Sequence, residues 1–99
     1  MNIATLCLAL KSGNMIYGFD AVKEEVQKPK TTVAGILLSR DLSGKTIKEV
    51  AFLRDKFCPR LDIVRTDWNM DQIEDTIGKR TGVIAVKDKG FWKSLTKEK

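Results

Sequence analysis

Histidine is absent from this sequence, which removes at once the commonest general acid–base side chain and the commonest zinc ligand. Among the remaining candidates for acid–base or metal chemistry are Asp41, Asp71, Glu74 and Asp75. The last three flank the apolar stripe of a predicted helix and read as its solvated face. No nucleophile stands with a base, so we expect a protein that is not an enzyme and takes no cofactor. Cysteine is nearly as scarce, with Cys7 and Cys58 each set in an apolar stretch and outside any C-x-x-C arrangement. Both read as small reduced core residues rather than redox or metal groups. Long apolar runs are missing too: no stretch approaches the roughly 20 residues that span a bilayer. The first twenty residues lack the basic start, apolar run and small-residue cleavage site of an export signal, so the expectation is a cytoplasmic protein with no membrane partner.

What is present fits one domain over residues 1–99, with apolar residues enough for one core. Eighteen Lys and Arg against thirteen Asp and Glu give a net charge of +5, which favours a polyanionic partner. A solvated basic surface is the competing reading of the same charge.

The hydrophobic pattern alternates between two periods. Ile3, Leu6, Cys7 and Leu10 recur at helical spacing, and Gly13 follows where such a helix needs a left-handed terminator. Met15–Tyr17 forms a brief strand, and Phe19, Val22 and Val26 then share one face of a second helix that Pro29 ends. The run Val33–Leu38 is nearly continuous, as in a central strand covered on both faces. Ser43 can cap a third helix that turns Ile47, Val50, Ala51 and Phe57 inward, with Pro59 closing it. Leu61, Ile63 and Val64 mark the next strand. Asn69 with Gln72 has the spacing of a capping box for a helix carrying Met70, Ile73 and Ile77 up to Gly78. Val83–Val86 is a last strand, and Asp88 can cap a final helix with Phe91 and Leu95, fraying over 97–99. The order α-β-α-β-α-β-α-β-α predicts an α/β fold. We expect a three-layer α-β-α sandwich around a mixed, largely parallel four-stranded sheet.

Gly78-Lys79-Arg80-Thr81-Gly82 invites comparison with a phosphate-binding loop, because glycines let backbone amides approach phosphate while lysine and arginine add charge. The order of a P-loop is lacking, and the segment leaves a helix rather than entering one, which argues against a mononucleotide site. Two readings stand: a basic loop against an RNA backbone, or a plain helix-to-strand turn.

The stretch Leu6-Cys-Leu-Ala-Leu-Lys-Ser-Gly-Asn-Met-Ile-Tyr-Gly18 resembles the opening of bacterial proteins of the ribosomal L-seven-Ae-like family, including its YlxQ type. Ile77-Gly-Lys-Arg-Thr-Gly-Val-Ile-Ala-Val-Lys-Asp-Lys-Gly-Phe91 is similar to the closing segment of that family. The resemblance implies an α-β-α sandwich and, in many members, recognition of the kink-turn, a sharply bent RNA internal loop. Such a bend exposes unstacked bases that a regular A-form helix hides. The family contacts RNA through the start of its second helix and the loop before its last strand, which correspond here to 18–24 and 78–83.

This sequence departs from the family pattern G-x-N-E-x-x-K, carrying Asp20, Ala21 and Glu24 where Asn, Glu and Lys would stand. Glu24 reverses a charge that would face phosphate, and Lys23 lies one position early, about 100 degrees round the helix. Lys28 and Lys30 in the following loop are substitute phosphate contacts or ordinary loop charges. Tyr17 and Phe19 flank Gly18, and Phe19 reads as core; Trp68 and Trp92 read as packing residues. Arg40 leaves the central strand either to reach phosphate or to pair with Asp41. The resulting RNA surface comprises Gly18, Asp20, Lys23, Arg40, Gly78, Lys79, Arg80, Thr81, Gly82 and Val83, with Val83 as apolar cover. The leading expectation is a ribonucleoprotein component binding ribosomal or other structured RNA. The alternative is a protein-interaction module on the same fold, with a protein partner and an altered RNA site.

Overall fold

The computed structural model describes residues 3–97. Within them the elements alternate as α1 (Ala4–Lys11), β1 (Met15–Tyr17), α2 (Phe19–Val26), β2 (Gly35–Leu38), α3 (Gly44–Phe57), β3 (Asp62–Arg65), α4 (Met70–Ile77), β4 (Val83–Val86) and α5 (Lys89–Lys97). Of residues 97–99, expected to fray, Lys97 is the last residue of α5, and 98–99 lie outside the described residues.

Capping chemistry sets the helix boundaries. The Ser43 hydroxyl accepts the Thr46 amide at 3.2 Å to open α3. Asn69 and Gln72 form a reciprocal box, the Gln72 amide donating to Asn69 Oδ1 at 2.8 Å and the Asn69 amide to Gln72 Oε1 at 2.9 Å. Asp88 Oδ1 accepts the amides of Gly90 at 2.6 Å and Phe91 at 3.3 Å, which starts α5.

The sheet order is β1-β4-β2-β3. β2 pairs parallel with β3, whereas β4 pairs antiparallel with both β1 and β2. The expectation of a largely parallel sheet therefore holds for strand directions but fails for pairings: β1, β2 and β3 run one way, and the reversed β4 sits between them. The cause is the connection after β3. Arg65 at the end of β3 and Val83 at the start of β4 both lie opposite Leu38, so α4 leaves and returns to the same end of the sheet.

Alternation along the two inner strands sends side chains into two cores. Leu37, Ile84 and Val86 join Leu6, Ala9, Ile73, Ile77, Trp92 and Leu95 on the face covered by α1, α4 and α5. Ile36, Leu38, Val83 and Ala85 join Val22, Val26 and Val50 on the face covered by α2 and α3. The three-layer sandwich follows directly. Gly35 is required by packing, since a Cβ there would lie 2.3 Å from ring carbons of Trp92. Both tryptophans are buried, as expected. Phe57 departs from expectation: it stands at the last residue of α3 and is 41% exposed, while Leu53 takes the inward position. The cysteines are free and partly buried, and Cys7 Sγ donates to the Thr76 carbonyl at 2.9 Å.

Candidate nucleic-acid interface

Three stretches far apart in the chain meet at one end of the sheet, where β1, β2 and β3 finish and β4 begins. In open α/β sheets this carboxyl end is the usual place for a ligand. Gly18 ends β1 and caps α2 with φ of 93°, a left-handed value that glycine adopts without a Cβ clash. Its amide donates to the Val83 carbonyl at 2.9 Å. One strand further in, the Ser39 amide donates to the Gly82 carbonyl at 2.9 Å. Beyond it, the Thr66 amide and hydroxyl both reach the Leu38 carbonyl, at 2.8 and 2.9 Å. The turn after each strand is thus stitched to its neighbour.

The loop between α4 and β4 is anchored at one end and exposed at the other. Gly78 terminates α4 with φ of 77°, and Lys79 and Arg80 are exposed. Thr81 and Gly82 are buried: the Thr81 hydroxyl donates to the Val83 carbonyl at 3.1 Å, and a Cβ on Gly82 would meet Leu42, Met70 and Ser39 atoms at 2.6 to 2.9 Å. Val83 is 2% exposed and points into the core under α2 and α3. It does not supply the apolar cover expected of it, because strand alternation turns its side chain inward.

Charge at this end is mixed. Arg80 donates to Asp71 and lies 3.6 Å from Glu74, both on the preceding helix. The Asp71 hydrogen bond and charge, helped by Glu74, raise the Arg80 pKa above its usual value and hold the guanidinium in a local ion pair. Arg40 differs. Its side chain is exposed and makes no ion pair among the described residues, while its amide donates to the Trp68 carbonyl at 2.7 Å. Asp41 does not pair with it, since Asp41 Oδ1 accepts the Met70 amide at 3.1 Å and so serves the first turn of α4. Asp20 is exposed in the first turn of α2, where a carboxylate complements the helix dipole.

No family model and no curated protein matches the chain. A solved bacterial structure shares its fold. That structure, of a protein with unknown function from Bacillus halodurans C, is 26% identical to this chain with a TM-score of 0.82, and the match covers 96% of this chain and 92% of that one.

Set on this frame, the expected site residues separate. Gly18, Asp20, Arg40 and 78–82 gather at the carboxyl end of the sheet. Lys23 lies five residues into α2, roughly 7.5 Å along the axis, and lines the space between α2 and α3. Lys28 and Lys30 fall after α2, near the opposite end of the sheet where β2 begins, and Lys28 pairs with Glu25 at 3.1 Å. They cannot join the same surface. Sequence reasoning missed Arg65, which ends β3 beside Arg40 and donates from Nη2 to the Arg40 carbonyl at 2.7 Å. Its position directly after the apolar Leu61, Ile63 and Val64, as Arg40 follows the run 33–38 by one serine, was the available signal. Arg65 to Trp68 line a recess of about 130 Å³ at this end.

Among the described residues no group of three or more His, Cys, Asp or Glu side chains is placed to hold a metal, and no helix is long and apolar enough to cross a membrane.

Proposed function

We propose that this chain is a non-enzymatic, cytoplasmic RNA-binding domain that uses the carboxyl end of its sheet to hold a structured RNA. The observation that carries the reading is the meeting of Gly18, Arg40 and the 78–82 loop at one end, joined through the Gly18–Val83 and Ser39–Gly82 backbone hydrogen bonds. The exposed Arg40, Arg65 and Lys79 supply phosphate contacts, while the backbone around Gly18 and Gly78 allows close approach. A bent, kink-turn-like RNA suits this edge better than a regular duplex, because its unstacked nucleotides fit beside a short loop. The resemblance at both ends of the chain supports a ribosomal or other ribonucleoprotein setting.

A gel-shift titration against a structured RNA at about 0.15 M salt tests the proposal. We expect a discrete complex that weakens when Arg40 and Lys79 are replaced by Ala. Absence of any complex under those conditions would remove the RNA role.

The second reading, a protein-interaction module, is favoured by one specific observation: Arg80 is already engaged by Asp71 and Glu74.

A further inference from the structure

The outer surface of α2 and α3 carries a groove of about 460 Å³ that the RNA reading does not use. Phe19 and Lys23 lie four residues apart on α2, and Lys48, Phe52 and Lys56 follow at the same spacing on α3, so each set forms one helical stripe facing the groove. Phe52 is 63% exposed and Phe57 is 41% exposed. Large rings left in water side by side, with a polar rim, mark an interaction surface more often than an isolated exposed residue does.

Four features select the occupant. Lysines at 23, 48 and 56 face a single lining carboxylate, Glu49, which leaves the rim two charges positive and calls for an acidic ligand. The Lys56 ammonium stands 5.9 Å from the Phe52 ring centroid and 5.4 Å from that of Phe57, so positive charge lies directly beside the two exposed rings and suits a ligand that carries carboxylates next to apolar side chains. A second copy of this chain would bring the same lysine rim against itself, which is unfavourable in a two-fold pair. The two parallel stripes run for the length of α2, eight residues or about 12 Å, matching roughly two turns of a docked helix.

We infer that this groove docks an acidic amphipathic helix of a partner protein, its apolar face on Phe19, Phe52 and Phe57 and its carboxylates on Lys23, Lys48 and Lys56. The groove opens between α2 and α3, with Phe19 alone next to the carboxyl end of the sheet, and the inference does not depend on RNA binding.

The test uses the full chain and fluorescence anisotropy with a labelled helical peptide of about 16 residues, bearing leucines along one face and glutamates on its flanks. Saturable binding is expected, weakened at least roughly tenfold by Phe52→Ala and by Lys48→Glu. Both positions are exposed, and circular dichroism checks that each variant keeps its fold. The same peptide with lysines for glutamates should not bind, and an oligouridine should not displace the acidic one. Equal binding of the two peptides, or insensitivity to both substitutions, overturns the proposal. Displacement by oligouridine would assign the groove to nucleic acid, and self-association lost in Phe52→Ala would assign it to a second copy; either result overturns it too.

Discussion

Ser39 and Gly82 fix the loop before β4 to the end of β2: the Ser39 amide donates to the Gly82 carbonyl at 2.9 Å, and the buried Ser39 hydroxyl stands 2.9 Å from where a Gly82 Cβ would lie. Gly82→Ala crowds this contact and two others, with Leu42 Cδ1 and Met70 Cε. Those two are the mobile ends of flexible side chains, so the fold should absorb the methyl at about 1 kcal/mol. Urea unfolding with an unchanged m-value checks this.

Gly35→Ala offers the contrasting case. Its Cβ would meet the rigid, buried indole of Trp92 at 2.3 Å, and no short side-chain movement relieves that overlap. We expect a loss of about 3 kcal/mol, with a weakened near-ultraviolet tryptophan signal in circular dichroism.

The Ser39 hydroxyl is buried and has no hydrogen-bond partner among the described residues. Ser39→Ala removes an unsatisfied polar atom and should leave stability unchanged or higher by up to about 1 kcal/mol. A large loss on chemical denaturation would mean that the hydroxyl has a partner essential to the fold.

Arg80 is held by Asp71 and Glu74, so its contribution to RNA binding is restrained. Replacing both carboxylates, Asp71→Asn with Glu74→Gln, should raise RNA affinity and steepen its salt dependence by roughly 0.7 to 0.9 in the log–log slope, as one more cation reaches phosphate. Filter binding over a salt series measures both. The opposite change, Lys79→Ala with Arg80→Ala, should lower affinity and flatten the slope. Unchanged binding in that double variant would take the loop out of the interface.

Much of the fold was legible because its signals are local. Ser43, the Asn69–Gln72 box and Asp88 announce helix starts through side chains that act within three residues, and Gly78 announces a helix end by adopting a positive φ. The continuous apolar run of β2 announced a strand covered on both sides, and Val83–Val86 announced the last strand. Pairing direction was not legible, because double burial looks the same in parallel and antiparallel strands. Only the return of α4 to the end it left places β4 in reverse between β1 and β2.

The candidate site divides along the same line. That 18–24 and 78–83 belong together came from the resemblance at both ends, and that Arg65 stands beside Arg40 required the β2–β3 register. Val83 illustrates the reverse error, a residue assigned to a surface by its place in a motif and turned inward by the pleat. Phe52 gave no sequence signal of its own beyond an apolar residue off the inward stripe of α3, and only its 63% exposure marks it out.

RNA recognition at the carboxyl end of the sheet is tested most directly by titrating the protein against a kink-turn RNA and an unbent duplex of equal length across a salt series. We expect preference for the bent RNA and, with Arg40, Arg65 and Lys79 each neutralising a phosphate, a log–log salt slope between roughly −2 and −3. Equal affinity for both RNAs would contradict bent-RNA recognition, and no binding to either at moderate salt would contradict the RNA role itself.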